Sequence, residues 1–191
     1  MKSRPGAINN YLWAAAFLLV AGCGTAHLSG KKEYTFIQVY LEARNGASTG
    51  AQMVKVLNAP VYVEPEPFLT EADMTKARLV DEPDGTWAVQ VMFTDHGSLL
   101  LDMTSTSSKG LKLVIFTAFP KPGWKDSKRQ DAFSTEKTTV GQERTFSWSA
   151  APITRNLTGG VLQFTPEGSH AEAERIVRGL NNMGKELEKQ R

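Results

Sequence analysis

The sequence predicts an α+β fold, a mostly antiparallel sheet with two or three helices packed on one face. Short β-rich runs, several with alternating apolar and polar residues, recur from Tyr34 onward between turn-prone segments. Other segments carry helix N-cap signals followed by apolar residues at helical spacing. No repeat period and no second domain boundary is visible, so residues 34–191 are predicted to form a single domain.

The first elements are extended. Residues 35–41 form a β-rich run that ends at the turn-prone residues 44–46. Apolar residues within 54–57 and 61–63 predict further extended pieces, which end at the proline-rich residues 64–67. The two glutamates of that last segment are interpreted as solvated side chains, not as an acid/base pair.

The middle of the chain predicts a short helix followed by a β-hairpin. Thr70 fits an N-cap with an acid three residues later, and it opens a helix through Ala77. A strand over 78–81, a Pro-Asp-Gly turn and a returning strand over 86–93 follow. The core face of the returning strand is predicted to consist of Trp87, Val89, Val91 and Phe93.

A second helix is predicted to begin at Thr94 or Asp95 and to end in the Ser- and Thr-rich residues 104–108. Its apolar residues at helical spacing are Leu99, Leu100 and Met103. A strand over 111–116 follows.

A polar insertion, predicted over about 119–148, interrupts the fold as a long exposed loop or hairpin. Strand-like residues resume within 145–148 and 152–154, and again at 161–164 after a tight turn at Gly159-Gly160. The final helix has a capping box at its start, Ser169 to Glu172, and is predicted to dock on the sheet. Its apolar stripe consists of Ala173, Ile176, Val177, Leu180, Met183 and Leu187.

The N-terminus predicts export and a lipid anchor. An uncharged apolar run over 11–21 is shorter than the roughly 20 residues of a membrane-spanning helix. The only cysteine of the chain follows it, in the run Val-Ala-Gly-Cys, which resembles the bacterial lipobox. Residues 1–22 are therefore predicted to be a lipoprotein signal peptide, with Cys23 as the acylated, palmitate-bearing N-terminus; the alternative is a buried or free thiol.

Residues 23–33 comprise this lipidated cysteine and a small, polar tether. The residue after Cys23 is Gly24, and not the aspartate that retains such proteins in the inner membrane. We therefore expect a cell-envelope protein, at the periplasmic face of the outer membrane in a host that has one.

The charge balance argues against nucleic acid as a partner. The chain has 22 Lys and Arg against 20 Asp and Glu, and Lys2 and Arg4 leave with the signal peptide. The mature chain is then neutral and has no basic block, whereas phosphate binding needs clustered cations. A single cysteine also excludes a disulfide framework.

The sequence predicts no catalytic residues, no cofactor and no metal. His27 lies in the tether, while His96 and His170 lie at helix starts, where exposed polar side chains are ordinary. His170 and Glu174 share a helix face as a metal pair would, but no second ligand pair is near in sequence. The Gly-Lys-Ser/Thr of nucleotide sites is absent from the sequence.

Three aromatic residues are candidate partner-binding residues: Trp124, Phe133 and Trp148. They flank the polar insertion or lie within it, and exposed aromatic side chains in a loop mark recognition surfaces. The alternative is a small core beneath the loop.

Several runs match one known module. They are PFLTEAD at 67–73, VQVMFTD at 89–95, KGLKLVI at 109–115, API at 151–153, LTGGVLQFT at 157–165 and IVRGL at 176–180. Together they resemble the periplasmic head subdomain of SecD, an accessory subunit of the bacterial preprotein translocase. The resemblance implies an α+β head of the kind thought to contact emerging polypeptide.

Two features depart from SecD. About 30 residues intervene before the Ala-Pro run, and no segment after Cys23 is long and apolar enough to span a bilayer. The proton-driven work of SecD is therefore not implied.

Three observations together predict a lipid-anchored binding or scaffold module of the envelope. They are the predicted lipid anchor, the resemblance to the SecD head and the lack of a recognisable set of catalytic residues. It would engage a protein partner or an exported polypeptide. Two alternatives stay open: an envelope hydrolase or carbohydrate-active enzyme using acids such as Asp95, Asp102 or Glu167, and a structural envelope lipoprotein.

Overall fold

The described chain builds three antiparallel sheets and two helices. The computed structural model describes residues 32–44, 49–119 and 146–190, all within one compact unit. The elements are β1 (Phe36–Leu41), β2 (Gln52–Val56), β3 (Ala59–Val63), β4 (Leu69–Thr70), β5 (Met74–Asp81), β6 (Trp87–Phe93), α1 (Asp95–Ser107), β7 (Lys112–Ala118), β8 (Phe146–Pro152), β9 (Val161–Phe164) and α2 (His170–Glu188). The predicted α+β class is confirmed, but the strands divide into three sheets.

The largest sheet has the strand order β4-β1-β7-β8 and is buried on both faces. Successive residues of a strand point to opposite faces. Leu113 and Ile115 of β7 pack in a cluster that includes Leu101 of α1 and Ile176 of α2. Phe116, on the opposite face of the same strand, packs with the valines of β2 and β3. The central strands therefore separate two hydrophobic clusters.

A second sheet, β5-β6-β9, includes at the start of β5 four residues, 74–77, that were predicted to be helical. Thr70 and Asp73 make the predicted capping box, but it closes only the 3₁₀ turn Glu71–Asp73. The predicted helix through Ala77 is wrong, because Met74–Asp81 pairs along its length with β6 and buries Met74 and Ala77. Tertiary pairing thus overrides a local helix start.

The third sheet is the hairpin of β2 and β3. The sequence predicted only separate extended pieces here. Leu57 and Asn58 make the two-residue turn, both with positive φ, 48° and 66°, as tight hairpins require. The inward residues cover the large sheet and are Val54, Val56, Val61 and Val63.

Helix α1 buries a different face from the predicted one. Thr94 is its N-cap and accepts a hydrogen bond from the Gly97 N–H. Its buried residues are Gly97, Leu101 and Ser105. Leu99 and Met103, two of the predicted apolar residues, are exposed instead.

The insertion predicted over about 119–148 is shorter in the structure, because strand β8 already begins at Phe146. Strand β7 ends at Ala118, Phe119 is buried, and β8 begins at Phe146, directly opposite Ala118. Residues 120–145 lie outside the described part of the chain.

Helix α2 confirms the predicted last element. Ser169 and Glu172 form the capping box, with the Ser169 N–H donating to the Glu172 carboxylate at 2.7 Å. Ala173, Ile176 and Leu180 of the predicted stripe are fully buried, and the helix packs mainly on β5.

Candidate functional site

Trp148, a candidate partner-binding residue, lies in the core. It belongs to β8 and is 6% exposed. Its ring centroid is 4.7 Å from that of Phe116 and 5.9 Å from that of Tyr40. Trp148 therefore fits the alternative expectation, in which the aromatic residues form a small core beneath the insertion. The other two candidates, Trp124 and Phe133, lie outside the described residues.

The predicted anchor also lies outside the described residues. Cys23, the signal peptide and His27 all precede Lys32, where the description begins. Lipidation at Cys23 therefore stays a prediction. Among the described residues, no helix is both long and apolar enough to cross a membrane.

Both described histidines make short-range polar contacts. His96 Nδ1 lies 3.1 Å from Asp73 Oδ1, which ties the start of α1 to the 3₁₀ turn. His170 Nδ1 lies 3.5 Å from Glu174 Oε1, and its ring meets Trp87 edge-on. Within residues 32–44, 49–119 and 146–190, no group of three or more His, Cys, Asp or Glu residues is placed to hold a metal ion.

The three acids of the hydrolase alternative do not form a pair. Asp95 and Asp102 lie seven residues apart on α1, about 10 Å along the helix axis. Glu167 lies after β9, where its carboxylate accepts a hydrogen bond from the Leu57 N–H. No described contact joins any two of these carboxylates, so the paired acids that glycoside hydrolysis needs are not assembled from them.

The glycine pair makes a turn, as predicted. Gly159 and Gly160 have φ angles of 87° and 66°, and Gly160 accepts a hydrogen bond from the Phe93 N–H at 2.9 Å. A Cβ at Gly160 would collide with Ser98 of α1. The pair therefore lets β9 start directly beside α1.

The outer face of the β2–β3 hairpin is the candidate site that the sequence did not predict. Met53 and Tyr62 are cross-strand neighbours on this face, 47% and 46% exposed. Leu57 at the hairpin tip is 75% exposed. Large apolar side chains that remain exposed on one face mark binding surfaces. The signal was present in the sequence as alternation, with valines inward and these residues outward.

This hairpin is held at both ends. At its base, the Ala43 N–H donates to the Tyr62 carbonyl at 2.8 Å, and the Glu64 N–H donates to the Leu41 carbonyl at 2.9 Å. At its tip, Glu167 binds the Leu57 N–H. Together with the buried inner valines, these bonds hold the hairpin against the large sheet with its outer face exposed.

A second, smaller apolar patch lies on α1. Leu99 and Met103, four residues apart and so on one side of the helix, are 58% and 61% exposed. Two shallow hollows are lined by charged residues instead. One, of about 300 Å³, lies between Lys32 and the end of α2, and the other, of about 390 Å³, lies between Glu42 and Lys109.

The chain is similar to solved structures but matches no known sequence family. No protein-family model matches the chain, and no curated protein matches it. Two solved structures are similar to it over 78% of its length, each at 17% identity. One is SecDF, described as a membrane component that enhances protein export (TM-score 0.48, 63% of that chain covered), and the other is SecDF in a super-membrane-facing form (TM-score 0.46, 19% covered).

The chain thus spans less than two thirds of either SecDF chain. Both belong to the family whose head subdomain the sequence resembles.

Proposed function

We propose that this chain is a lipid-anchored binding or scaffold module of the bacterial cell envelope. It resembles the periplasmic head of SecD, engages a protein partner or an exported polypeptide, and performs no proton-coupled transport of its own. The observation that carries the proposal is the hairpin of β2 and β3, which leaves Met53 and Tyr62 exposed on one face and Leu57 exposed at its tip.

The runs that resemble SecD support the proposal through their places in the fold. The run at 67–73 covers β4 and the 3₁₀ turn, and the run at 89–95 covers the end of β6 and the cap of α1. The runs at 109–115 and 157–165 enter β7 and β9. They therefore lie on strands and helix starts of the described domain, and not within residues 119–148.

The lipobox-like residues support the anchor. Acyl chains on Cys23 would hold the domain at the membrane stably, since more than one chain is attached in bacterial lipoproteins. The tether of nine residues that ends at Lys32 would span at most about 30 Å when fully extended. The outer-membrane periplasmic face is the proposed location in a host with two membranes.

The anchor is tested by Cys23→Ser. We expect loss of palmitate labelling and accumulation of the uncleaved precursor, while Cys23 in the unaltered chain is acylated. Thr25→Ser is the matched control, because it introduces the same residue two positions later and leaves the lipobox-like run intact. Normal processing of the Cys23 variant would refute the anchor.

Partner binding is tested by photo-crosslinking in cells. A photoreactive amino acid replaces Tyr62, and in a control it replaces Asp84, which lies in an exposed turn of another sheet. We expect a crosslinked envelope or exported protein from the Tyr62 position alone. If neither position yields a product above that of the anchor without the domain, the binding proposal fails. The structural-lipoprotein alternative then predicts damaged envelope integrity on deletion.

A further inference from the structure

Within residues 32–44, 49–119 and 146–190, the outer edge of β2 carries backbone groups without a hydrogen-bond partner. In this part of the chain β2 pairs only with β3, from Gln52 opposite Val63 to Val56 opposite Ala59. In an antiparallel pair, alternate residues turn their N–H and C=O groups toward the partner strand or away from it. The pairing register therefore decides which groups of β2 face outward.

Two observations identify the outward residues as Met53 and Lys55. Tyr62, opposite Met53, uses its carbonyl to bind Ala43 on the far side of β3, so this pair makes no hydrogen bonds between β2 and β3. Pro60, opposite Lys55, has no N–H to donate. Among the described residues, the N–H and C=O of Met53 and Lys55 have no other backbone partner.

The side chains beside this edge indicate what would bind there. Met53 and Tyr62 present apolar surface on the outer face. Lys55 is exposed and forms no ion pair within the described part of the chain. A second copy paired antiparallel with Lys55 opposite Lys55 would place like charges directly across from each other, which is unfavourable. A partner with an acidic residue at that position would instead complement Lys55.

We propose that the outer edge of β2 binds an extended polypeptide segment as an added strand. The bound segment places an apolar side chain against Met53 and an acidic side chain near Lys55. Strand addition of this kind draws affinity from main-chain hydrogen bonds and specificity from alternate side chains. The inference rests on the proposed function and names its partner class. The hairpin precedes the stretch that resembles SecD, so the site is not carried over from that family.

The test measures binding of a fluorescent hexapeptide, Thr-Val-Thr-Glu-Thr-Val, whose valines and glutamate share one face of an extended strand, to the full chain in detergent micelles by anisotropy. Two further probes are the same peptide with the amides of its Val and Glu residues N-methylated, and the peptide with Lys in place of Glu. We expect the unmodified peptide to bind at least tenfold more tightly than either probe, since N-methylation removes the main-chain donors. Equal binding of the N-methylated peptide, or no binding at all, would overturn the proposal.

Protein variants locate the site. Met53→Pro removes an outward N–H without touching the β2–β3 ladder, as Pro60 already does on β3, and should weaken binding about tenfold. Met53→Ala keeps the N–H and should lose less. Should Met53→Pro fail to fold, Lys55→Glu serves instead and should reverse the preference between the Glu and Lys peptides. Unchanged affinities in both variants would refute the edge as the site.

Two outcomes separate this inference from the proposed function. If Met53→Pro has no effect on peptide binding but the Tyr62 crosslink in cells persists, the module binds a partner and the β2 edge is refuted. If sedimentation shows a dimer that Met53→Pro dissolves, the edge pairs with a second copy and the polypeptide proposal is overturned.

Discussion

Asn181 of α2 binds both backbone polar groups of Ala77 on β5. Its side-chain oxygen accepts from the Ala77 N–H and its side-chain nitrogen donates to the Ala77 carbonyl, each at 2.9 Å. Strand β5 is an edge of its sheet, so one amide side chain takes the place of a neighbouring strand. The same contact docks α2 on β5 and closes an edge that would otherwise be open to other chains.

Replacing Asn181 by Ala should therefore destabilise the fold. Ala77 is buried, and each of its two polar groups would lose its partner at about 1–3 kcal/mol. Urea unfolding of the variant measures the loss. Asn182→Ala is the matched control, because the neighbouring amide makes one hydrogen bond, to the exposed Glu33 carbonyl, and should cost about 1 kcal/mol or less. Equal costs for the two variants would contradict the role given to Asn181.

Two glycines of α2 should respond in opposite directions to alanine. A Cβ on Gly179 would lie 2.8 Å from Thr35 Cβ and 2.9 Å from the Thr35 backbone nitrogen, so helix or chain must shift. Overpacking of this kind costs about 1–3 kcal/mol, more than the roughly 1 kcal/mol that alanine gains over glycine in a helix.

Gly184 is the control on the same helix. A Cβ there would meet only Met74 Cε at 3.7 Å and the Thr75 carbonyl at 3.9 Å, which are ordinary contacts. Gly184→Ala should raise stability by about 0.5–1 kcal/mol, while Gly179→Ala lowers it. Thermal unfolding of both variants decides the sign, and a stabilised Gly179→Ala would show that α2 does not approach Thr35 so closely.

The faces of α1 give a third prediction. Leu101 is fully buried between the helix and the sheets, so Leu101→Ala should cost about 2–5 kcal/mol. Leu99→Ala removes the same atoms from an exposed position and should change stability by about 0.5 kcal/mol or less. Chemical denaturation measures the unfolding free energy of both variants. A larger loss for Leu99→Ala than for Leu101→Ala would show that the face predicted from the sequence is the buried one.

Asp84 gives a prediction about pH. The Thr86 hydroxyl donates to its carboxylate at 2.6 Å, and the Thr86 N–H donates at 2.9 Å. These bonds favour the ionised form and lower the pKa of Asp84 below its ordinary value of 3.8. Because the pKa of Asp84 is lower in the folded than in the unfolded chain, its ionised carboxylate stabilises the fold at pH values above the unfolded-state pKa. This stabilisation is lost as the pH falls through the folded-state pKa.

Thr86→Val removes the hydroxyl donor and keeps the β-branched shape and the N–H. Its Asp84 carboxyl should titrate at a higher pH than in the unaltered protein, closer to 3.8, as followed by NMR of the carboxyl carbon. Identical midpoints in the two proteins would rule out the Thr86 hydroxyl as the main cause of the shift.

Local signals predicted the elements whose packing agrees with them. The alternation of Val89, Val91 and Phe93 predicted a core-facing strand, and the capping box and stripe after Ser169 predicted α2. In each case the periodic face is the buried face, so a pattern in sequence is also a pattern in space. The candidate hairpin surface could be predicted only in part. Its valines indicated two extended segments, but not that the two segments pair with each other.

The sequence by itself determined the α+β class, the positions of most strands and the capped start of each helix, because these depend on residues close along the chain. Only the tertiary structure decided that the chain continues after Asp73 as strand β5, that Leu101 and not Leu99 is buried, and that Trp148 lies in the core. It also decided that Met53 and Tyr62 share an exposed face. Each of these depends on pairing or packing with residues distant in sequence, whose burial and hydrogen bonds outweigh local preference.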